Sequence, residues 1–154
     1  MRYTQSQVRE LLAVSGETFR RWRDAIPALA LRKGHGPAFS PGDLVALALI
    51  SDLVNQFGLR VNTIAARFDE LFEICNAHSW PVLEACAVAI SGQATRIMRP
   101  DEPQESPGGG ESTLLLIPLR PVVKRLQARL ISAAQEDPQA RLQFPPVGVK
   151  VEAR

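Results

Sequence analysis

Apolar residues near the amino terminus recur at intervals of three and four, the spacing that places them on one face of a helix. A first helix is predicted from about Gln5, because Thr4 and Gln7 have the spacing of a capping box. A second helix is predicted after Ser15, a residue type favoured at the N-cap. One side of this second helix is apolar and is predicted to be buried; it carries Phe19, Trp22 and Ile26.

Two short helices joined by three or four residues are the pattern of a helix-turn-helix, whose second helix enters the major groove of DNA. Two short apolar runs between Ile26 and Phe39 flank a basic, glycine-rich turn, which predicts a small two-stranded wing. Ser40-Pro41 then predicts the start of a third helix, which continues to about residue 56. A fourth helix is predicted from about residue 61 to residue 78.

The carboxyl-terminal half has a different pattern, which begins at Trp80-Pro81. Loose alternation of apolar and polar residues over 83–90, and again over 94–98, predicts a β-hairpin. Residues 114–119 form an apolar run that is typical of a buried strand. The helical spacing that follows predicts a last helix over residues 121–134.

Proline and glycine mark two further segments as weakly structured. Residues 99–111 contain three prolines and three consecutive glycines, which predicts a flexible loop. Residues 135–154 contain three prolines and are predicted to be a weakly ordered tail. The predicted fold class is therefore α+β, with a four-helix winged helix-turn-helix over residues 1–78 and a small antiparallel sheet plus a helix over residues 79–134.

Charge is nearly balanced over the 154 residues, with 18 Lys and Arg against 16 Asp and Glu, so any affinity for nucleic acid must come from a local patch. The first 35 residues are the basic part, with seven basic and three acidic residues. Arginine can pair with guanine or clamp a phosphate, and a capped helix start can also hold a phosphate. The predicted DNA-binding residues are Ser15, Glu17, Thr18, Arg20 and Arg21 on the second helix, and Arg32, Lys33 and His35 at the wing tip.

Other kinds of site have no support in the spacing of residues. Cys75 and Cys86 lack the CxxC or Cys/His spacing of a zinc site and are predicted to be buried apolar residues. No nucleophile and base, carboxylate pair or phosphate-binding loop has the required spacing, so no enzyme activity, cofactor or metal is predicted. No stretch has the apolar length of a membrane span, and the amino terminus lacks a signal peptide's apolar segment, which predicts a soluble cytoplasmic protein.

A series of short motifs runs through the first half of the chain in a definite order. It consists of Val14-Ser15, Glu17-Thr18-Phe19-Arg20, Trp22, Phe39-Ser40, Asp43-Leu44, Phe57-Gly58-Leu59 and Ile64. Over residues 3 to about 75 this series resembles the DNA-binding domain of MerR-family regulators, which has a helix-turn-helix, a wing and a following pair of helices. In that family the residues that match Arg20 and the polar positions around Thr18 face DNA, so the resemblance implies groove and phosphate contacts for both.

Two departures from the family pattern limit what the resemblance implies. The arginine that usually precedes the aromatic-serine pair is replaced in Pro37-Ala38-Phe39. The long coiled-coil helix that dimerises typical members is replaced by the different sequence from Trp80 onwards. The family's effector mechanism is therefore not carried over to this chain.

These observations predict a transcriptional regulator that binds a palindromic operator in double-stranded DNA as a homodimer, with residues 83–134 as the dimer or partner surface. A first alternative is an architectural factor, such as a phage excisionase or a terminase small subunit, which would bend or hand over DNA. A second alternative is a protein-interaction module whose helix-turn-helix no longer binds DNA. No membrane partner is predicted, and the sequence does not reveal a small-molecule effector.

Overall fold

Helices come first along the chain, and a small sheet with a last helix follows, so the protein is of the predicted α+β class. A computed structural model describes residues 1–32, 36–63, 65–100 and 113–136. The helices in these ranges are α1 (Gln5–Leu12), α2 (Gly16–Ala25), α3 (Pro27–Ala30), α4 (Pro41–Phe57), α5 (Ala65–Ala77), α6 (Trp80–Ala85) and α7 (Arg120–Glu136), with a 3₁₀ turn over Val61–Thr63. The strands are β1 (Ala87–Ser91), β2 (Thr95–Met98) and β3 (Leu114–Pro118).

The predicted starts of α1 and α4 are confirmed by their caps. The backbone N–H of Gln7 donates to Thr4 Oγ1, and the backbone N–H of Thr4 donates to Gln7 Oε1, which completes the capping box of α1. Ser40 and Asp43 form the same box at the start of α4. That helix ends at Phe57 and is capped by Gly58, whose positive φ of 66° suits a residue without a Cβ atom.

The longest buried helix, α4, is the centre of the molecule. It packs against α5, α7 and α1, and its side chains from Leu44 to Ile50 are almost fully buried on every side of the helix. One continuous hydrophobic cluster includes these residues together with Leu119 and Val123 near the start of α7. An ion pair of 2.6 Å between Arg125 and Asp52 also joins α7 to α4. Residues on both sides of position 78 therefore contribute to this one cluster.

The sheet has the strand order β2-β1-β3, and both pairings are antiparallel. The predicted hairpin is confirmed over β1 and β2, but its predicted start at residue 83 is wrong because Trp80–Ala85 is helical. Pro81 fits the first turn of a helix, where its missing N–H costs no hydrogen bond. Trp80 fixes this helix to the core region, since its indole N–H donates to the carbonyl of Pro41 at 3.0 Å.

The predicted two-stranded wing between Ile26 and Phe39 is also wrong in its first strand. Pro27–Ala30 is a short helix, because Pro27 fits its first turn, the alanines favour helix, and Leu29 is completely buried. Phe39 forms an isolated antiparallel bridge with Tyr3, with N–H to carbonyl distances of 2.8 and 3.0 Å. The strand partner of the second apolar run therefore lies at the amino terminus of the chain.

The backbones of α4 and α5 lie close together at Gly42, which leaves no room for a side chain. A Cβ atom at this position would lie 2.5 Å from the carbonyl oxygen of Cys75, which is backbone and cannot move away cheaply. We expect Gly42→Ala to lower the free energy of unfolding by about 1–3 kcal/mol, as overpacked sites do. The measurement is urea unfolding followed by circular dichroism. Gly92→Ala is the matched control, since no atom lies within 4 Å of its added Cβ; equal losses in both variants would contradict this account.

Candidate nucleic-acid interface

The second helix, α2, begins with a cap that holds its first turn in place. The backbone N–H of Thr18 donates to Ser15 Oγ at 3.1 Å, and the Ser15 hydroxyl donates to Thr18 Oγ1 at 2.9 Å. Ser15 itself is exposed. The first N–H groups of a helix carry a partial positive charge, so this end of α2 is an exposed surface that favours anions.

Aromatic side chains fix the inner face of α2 against the protein. Phe19 and Trp22 are buried, as predicted, and so is Ile26 at the carboxyl end of the helix. The ring of Phe19 meets the ring of Phe39 edge to face, with 5.9 Å between centroids. This packing sets the rotation of α2 about its axis and so determines which residues point outward.

The outer face of α2 carries the predicted DNA-binding residues Glu17, Arg20 and Arg21, which are all exposed, and half-buried Thr18. Arg21 and Glu17 form an ion pair of 2.5 Å, in which the two side chains are 77% and 72% exposed. An exposed pair of this kind is worth only about 0.3–0.5 kcal/mol, so Arg21 can exchange Glu17 for another anion at little cost. Arg20 has no ion-pair or hydrogen-bond partner among the described residues.

Polar residues after α4 extend this surface beyond what the sequence pattern predicted. An open groove of about 930 Å³ separates α2 from the 3₁₀ turn. Arg60 and Asn62 are exposed on its far side, opposite Thr18 and Arg21. Sequence reasoning placed residues from 61 onwards in a helix and assigned them no role. The only sign of this surface in the sequence was Arg60, a basic residue shortly after Gly58.

The sequence analysis also assigned no role to Arg9. This residue belongs to α1, but its side chain reaches the start of α2. A Cβ atom on Gly16 would lie 3.2 Å from Arg9 Nη2 and 3.4 Å from Nη1, so the guanidinium lies across this glycine. The Nε atom of Arg9 is buried without a hydrogen-bond partner in the structure as described. Helical spacing on α1 gave no reason to expect this, because the contact depends on how α1 and α2 meet.

Arg32 does not lie at the exposed tip of a wing, which corrects its predicted position. Its Nε donates to Asp43 Oδ2 at 2.8 Å and its Nη2 to Asp43 Oδ1 at 2.6 Å, a bidentate pair. Its Nη1 donates to the carbonyl of Ala28, and its guanidinium carbon lies 4.8 Å from the ring centroid of Phe72. With its donors used inside the protein, Arg32 belongs to the scaffold and not to the exposed basic surface.

The carboxylate that holds Arg32 is itself buried, and its pKa reflects two opposing effects. Burial raises the pKa of Asp43, but hydrogen bonds from Arg32, the backbone N–H of Ser40 and the side-chain amide of Asn76, with the charge of Arg32, outweigh it. The pKa of Asp43 is therefore below its ordinary value. The carboxylate is charged at neutral pH and joins the loop before α4 to α5.

Five of the eight predicted DNA-binding residues are thus brought together on α2 or at its cap: Ser15, Glu17, Thr18, Arg20 and Arg21. Arg32 lies elsewhere, in the pair with Asp43. Lys33 and His35 lie outside the described residues. The surface formed by the outer face of α2, half-buried Arg9 and exposed Arg60 is called the α2 surface below.

Comparison with protein-family models, with curated proteins and with solved structures finds no match for this chain.

The cysteines and the metal-ligating side chains of the described residues give no sign of a second site. Cys75 and Cys86 are buried, as predicted, and burial with the nearby charge of Asp43 raises the pKa of the Cys75 thiol to about 12. In the described ranges no three or more His, Cys, Asp or Glu residues are grouped so as to hold a metal ion. No helix in those ranges is both long and apolar enough to cross a membrane.

Proposed function

We propose that the protein is a sequence-specific regulator of transcription that binds a palindromic site in double-stranded DNA as a homodimer, with α2 as its recognition helix. The observation that carries the proposal is the two-sided character of α2. Phe19 and Trp22 anchor its inner face, while Arg20 and Arg21 are exposed on the outer face. A helix with its side chains is about 10–12 Å wide, which suits the roughly 12 Å width of the major groove.

The chemistry of the outer face supports contacts with both bases and phosphates. Arg20, which no described residue engages, can donate two parallel hydrogen bonds to guanine or clamp a phosphate. Arg21 is held only by an exposed ion pair with Glu17, which a phosphate can replace. Thr18 and the capped start of α2 add donors for phosphate oxygens at the same end of the helix.

Basic residues beside α2 support a contact with the flanking backbone. Arg60 lies across the groove from α2, and Arg9 lies over its first turn. Neither arginine has an ion-pair partner among the residues described. Each phosphate that such a residue neutralises releases condensed counterions, so the proposed complex is expected to weaken steeply as salt rises.

A homodimer follows from the small size of one recognition helix. Two copies whose recognition helices are about 34 Å apart can read successive major-groove faces of a palindrome. The architectural and protein-interaction alternatives have no separate support in the described contacts. They remain distinguishable by the symmetry of the bound DNA and by whether DNA is bound at all.

The experiment that tests the proposal is selection of bound fragments from random double-stranded DNA. We expect a recovered motif with two inverted half-sites and an affinity whose logarithm falls linearly with the logarithm of salt concentration. Arrays of several sites with bending of the duplex would instead favour an architectural factor. Failure to retain any duplex at low ionic strength would reject DNA binding altogether.

A further inference from the structure

The outer edge of β3 has unpaired backbone groups that point away from the sheet. The N–H of Leu119 donates to the carbonyl of Cys86, which fixes the alternation of hydrogen bonds between β1 and β3. Leu115 and Ile117 therefore bond to β1, and Leu114, Leu116 and Pro118 direct their backbone groups outward. The described part of the chain provides these outward groups with no hydrogen-bond partner.

The opposite edge of the sheet, on β2, is engaged by α5 at Thr95. The backbone N–H of Thr95 donates to Glu70 Oε2 at 2.6 Å, and its hydroxyl donates to the carbonyl of Arg67 at 3.1 Å. Both acceptors belong to α5, which packs along β2. The β2 edge is thus engaged by a helix at one of its outward residues, whereas no described residue bonds to the outward backbone groups of β3.

Residues 114–117 of β3 lack the features by which proteins protect an edge strand. They read Leu-Leu-Leu-Ile, without a charge, a proline or a bulge, and Pro118 comes only at the end. Leu114 is 38% and Leu116 45% exposed on the outer face of the sheet. Unprotected backbone and exposed leucines along one short strand are the features expected of a strand that pairs with another chain.

We propose that β3 pairs with β3 of a second copy of this chain, antiparallel and about a two-fold axis at Leu116. Leu116 is the middle residue of the strand, so full overlap places it opposite itself and Leu114 opposite Pro118. Each Leu116 N–H then donates to the other copy's Leu116 carbonyl, and each Leu114 N–H to the opposite Pro118 carbonyl. Every outward N–H of both strands has an acceptor in this register. Pro118 has no backbone N–H to donate.

The small area of this contact sets its strength. Two strands of five residues bury far less than the roughly 1,200–2,000 Å² of a stable specific interface. The pairing is therefore concentration-dependent in free solution, and two adjacent DNA half-sites would strengthen it by holding the copies together. Only that last consequence rests on the proposed function, so the pairing itself is tested without DNA.

The test is amide hydrogen exchange of the full chain, followed by NMR at low-micromolar and at millimolar concentration. We expect the amides of Leu114 and Leu116 to exchange freely when dilute and to become protected when concentrated. Protection at both concentrations in a chain that sediments as a monomer would show that the chain's own remaining residues occupy the edge, and would overturn the proposal. Free exchange at both concentrations would overturn it as well.

Substitutions at Leu116 are expected to weaken the β3 pairing. Leu116→Lys places a charge on the edge, and Leu116→Pro removes the outward N–H without removing a bond to β1. We expect both variants to sediment as monomers at concentrations where the parent chain dimerises. Leu31→Lys is the matched control, since Leu31 is 83% exposed and lies outside the sheet. The Leu31→Lys variant is expected to dimerise like the parent chain.

Circular dichroism checks that each variant is folded. If Leu116→Pro is not folded, Leu116→Lys alone tests the pairing. Dimerisation of Leu116→Lys to the same extent as Leu31→Lys would show that β3 is not the interface. Loss of DNA binding with intact dimerisation would reject the proposed function and leave this pairing in place, so the two failures are distinguishable.

Discussion

Arg20→Ala is expected to lower the affinity for the selected duplex about 5- to 150-fold, which corresponds to the roughly 1–3 kcal/mol that a lost arginine contact costs. Arg20 is exposed on the anchored helix α2, so its removal leaves the packing of Phe19 and Trp22 unchanged. The double change of Arg20 and Arg21 to alanine is expected to weaken binding further. Affinity is measured by fluorescence anisotropy over a series of salt concentrations.

Arg96→Ala is the control for net charge, because Arg96 is an exposed arginine on β2, outside the α2 surface. It removes the same charge and is expected to change affinity little. Arg20→Lys separates the two kinds of contact, since lysine keeps the charge but cannot make the bidentate pair. If Arg20 reads guanine, the lysine variant loses sequence discrimination while the salt slope stays the same.

Unchanged affinity after removal of both Arg20 and Arg21 would mean that the outer face of α2 is not the interface. The interpretation of the chain as a protein-interaction module would then be favoured if no duplex is bound. A uniform loss across all sequences, with a salt slope smaller by about one per arginine, would instead assign both residues to phosphates.

The parts of the fold that the sequence predicts well are those set by neighbouring residues. The capping boxes of α1 and α4 involve side chains and N–H groups three positions apart, so their spacing is visible in the chain. The same is true of α7, whose apolar spacing predicted its bounds to within two residues. The inner face of α2 was equally predictable, because its apolar positions share one side of a helix.

The wing and the start of the sheet were mispredicted because short segments take their structure from distant partners. Pro27–Ala30 is too short to show a helical period, and burial of Leu29 decides its form. The strand-like run that ends at Phe39 pairs with Tyr3, which is 36 residues away in the chain. Similarly, Trp80 is fixed by a carbonyl on α4, a contact that local spacing cannot reveal.

The residues of the candidate site that lie on α2 could be predicted from the sequence. Those whose position depends on the packing of different helices could not. The residues of α2 could be chosen from their positions around a helix. Arg32 was assigned to DNA because an arginine in a basic turn looks exposed, and its pairing with Asp43 depends on the packing of α4 and α5. Arg9 and Arg60 come near α2 only after folding.

Asp43→Ala is expected to lower the free energy of unfolding by about 3–5 kcal/mol, the cost of breaking a buried ion pair by removing one partner. Asp43 is 2% exposed and accepts hydrogen bonds from Arg32, from the backbone N–H of Ser40 and from Asn76. Its loss leaves the Arg32 guanidinium without its anion and removes the capping box of α4. The measurement is urea unfolding at neutral pH, with Asp52→Asn as the control.

Asp52 makes a single partly exposed ion pair with Arg125, so its neutralisation is expected to cost much less. The pH dependence identifies the charge of Asp43 as the cause. Because its folded-state pKa is below the ordinary value of 3.8, its charge stabilises the fold above about that pH and loses this effect as pH falls through the folded-state pKa.

Asp43→Asn removes this titration while keeping the shape of the side chain. The difference in free energy of unfolding between the parent and Asp43→Asn is therefore expected to be constant near neutrality and to shrink below about pH 4. A difference that stays the same down to the acid limit of folding would show that the hydrogen bonds, and not the charge, carry the effect. In either case the result is independent of DNA, because Arg32 and Asp43 lie outside the α2 surface.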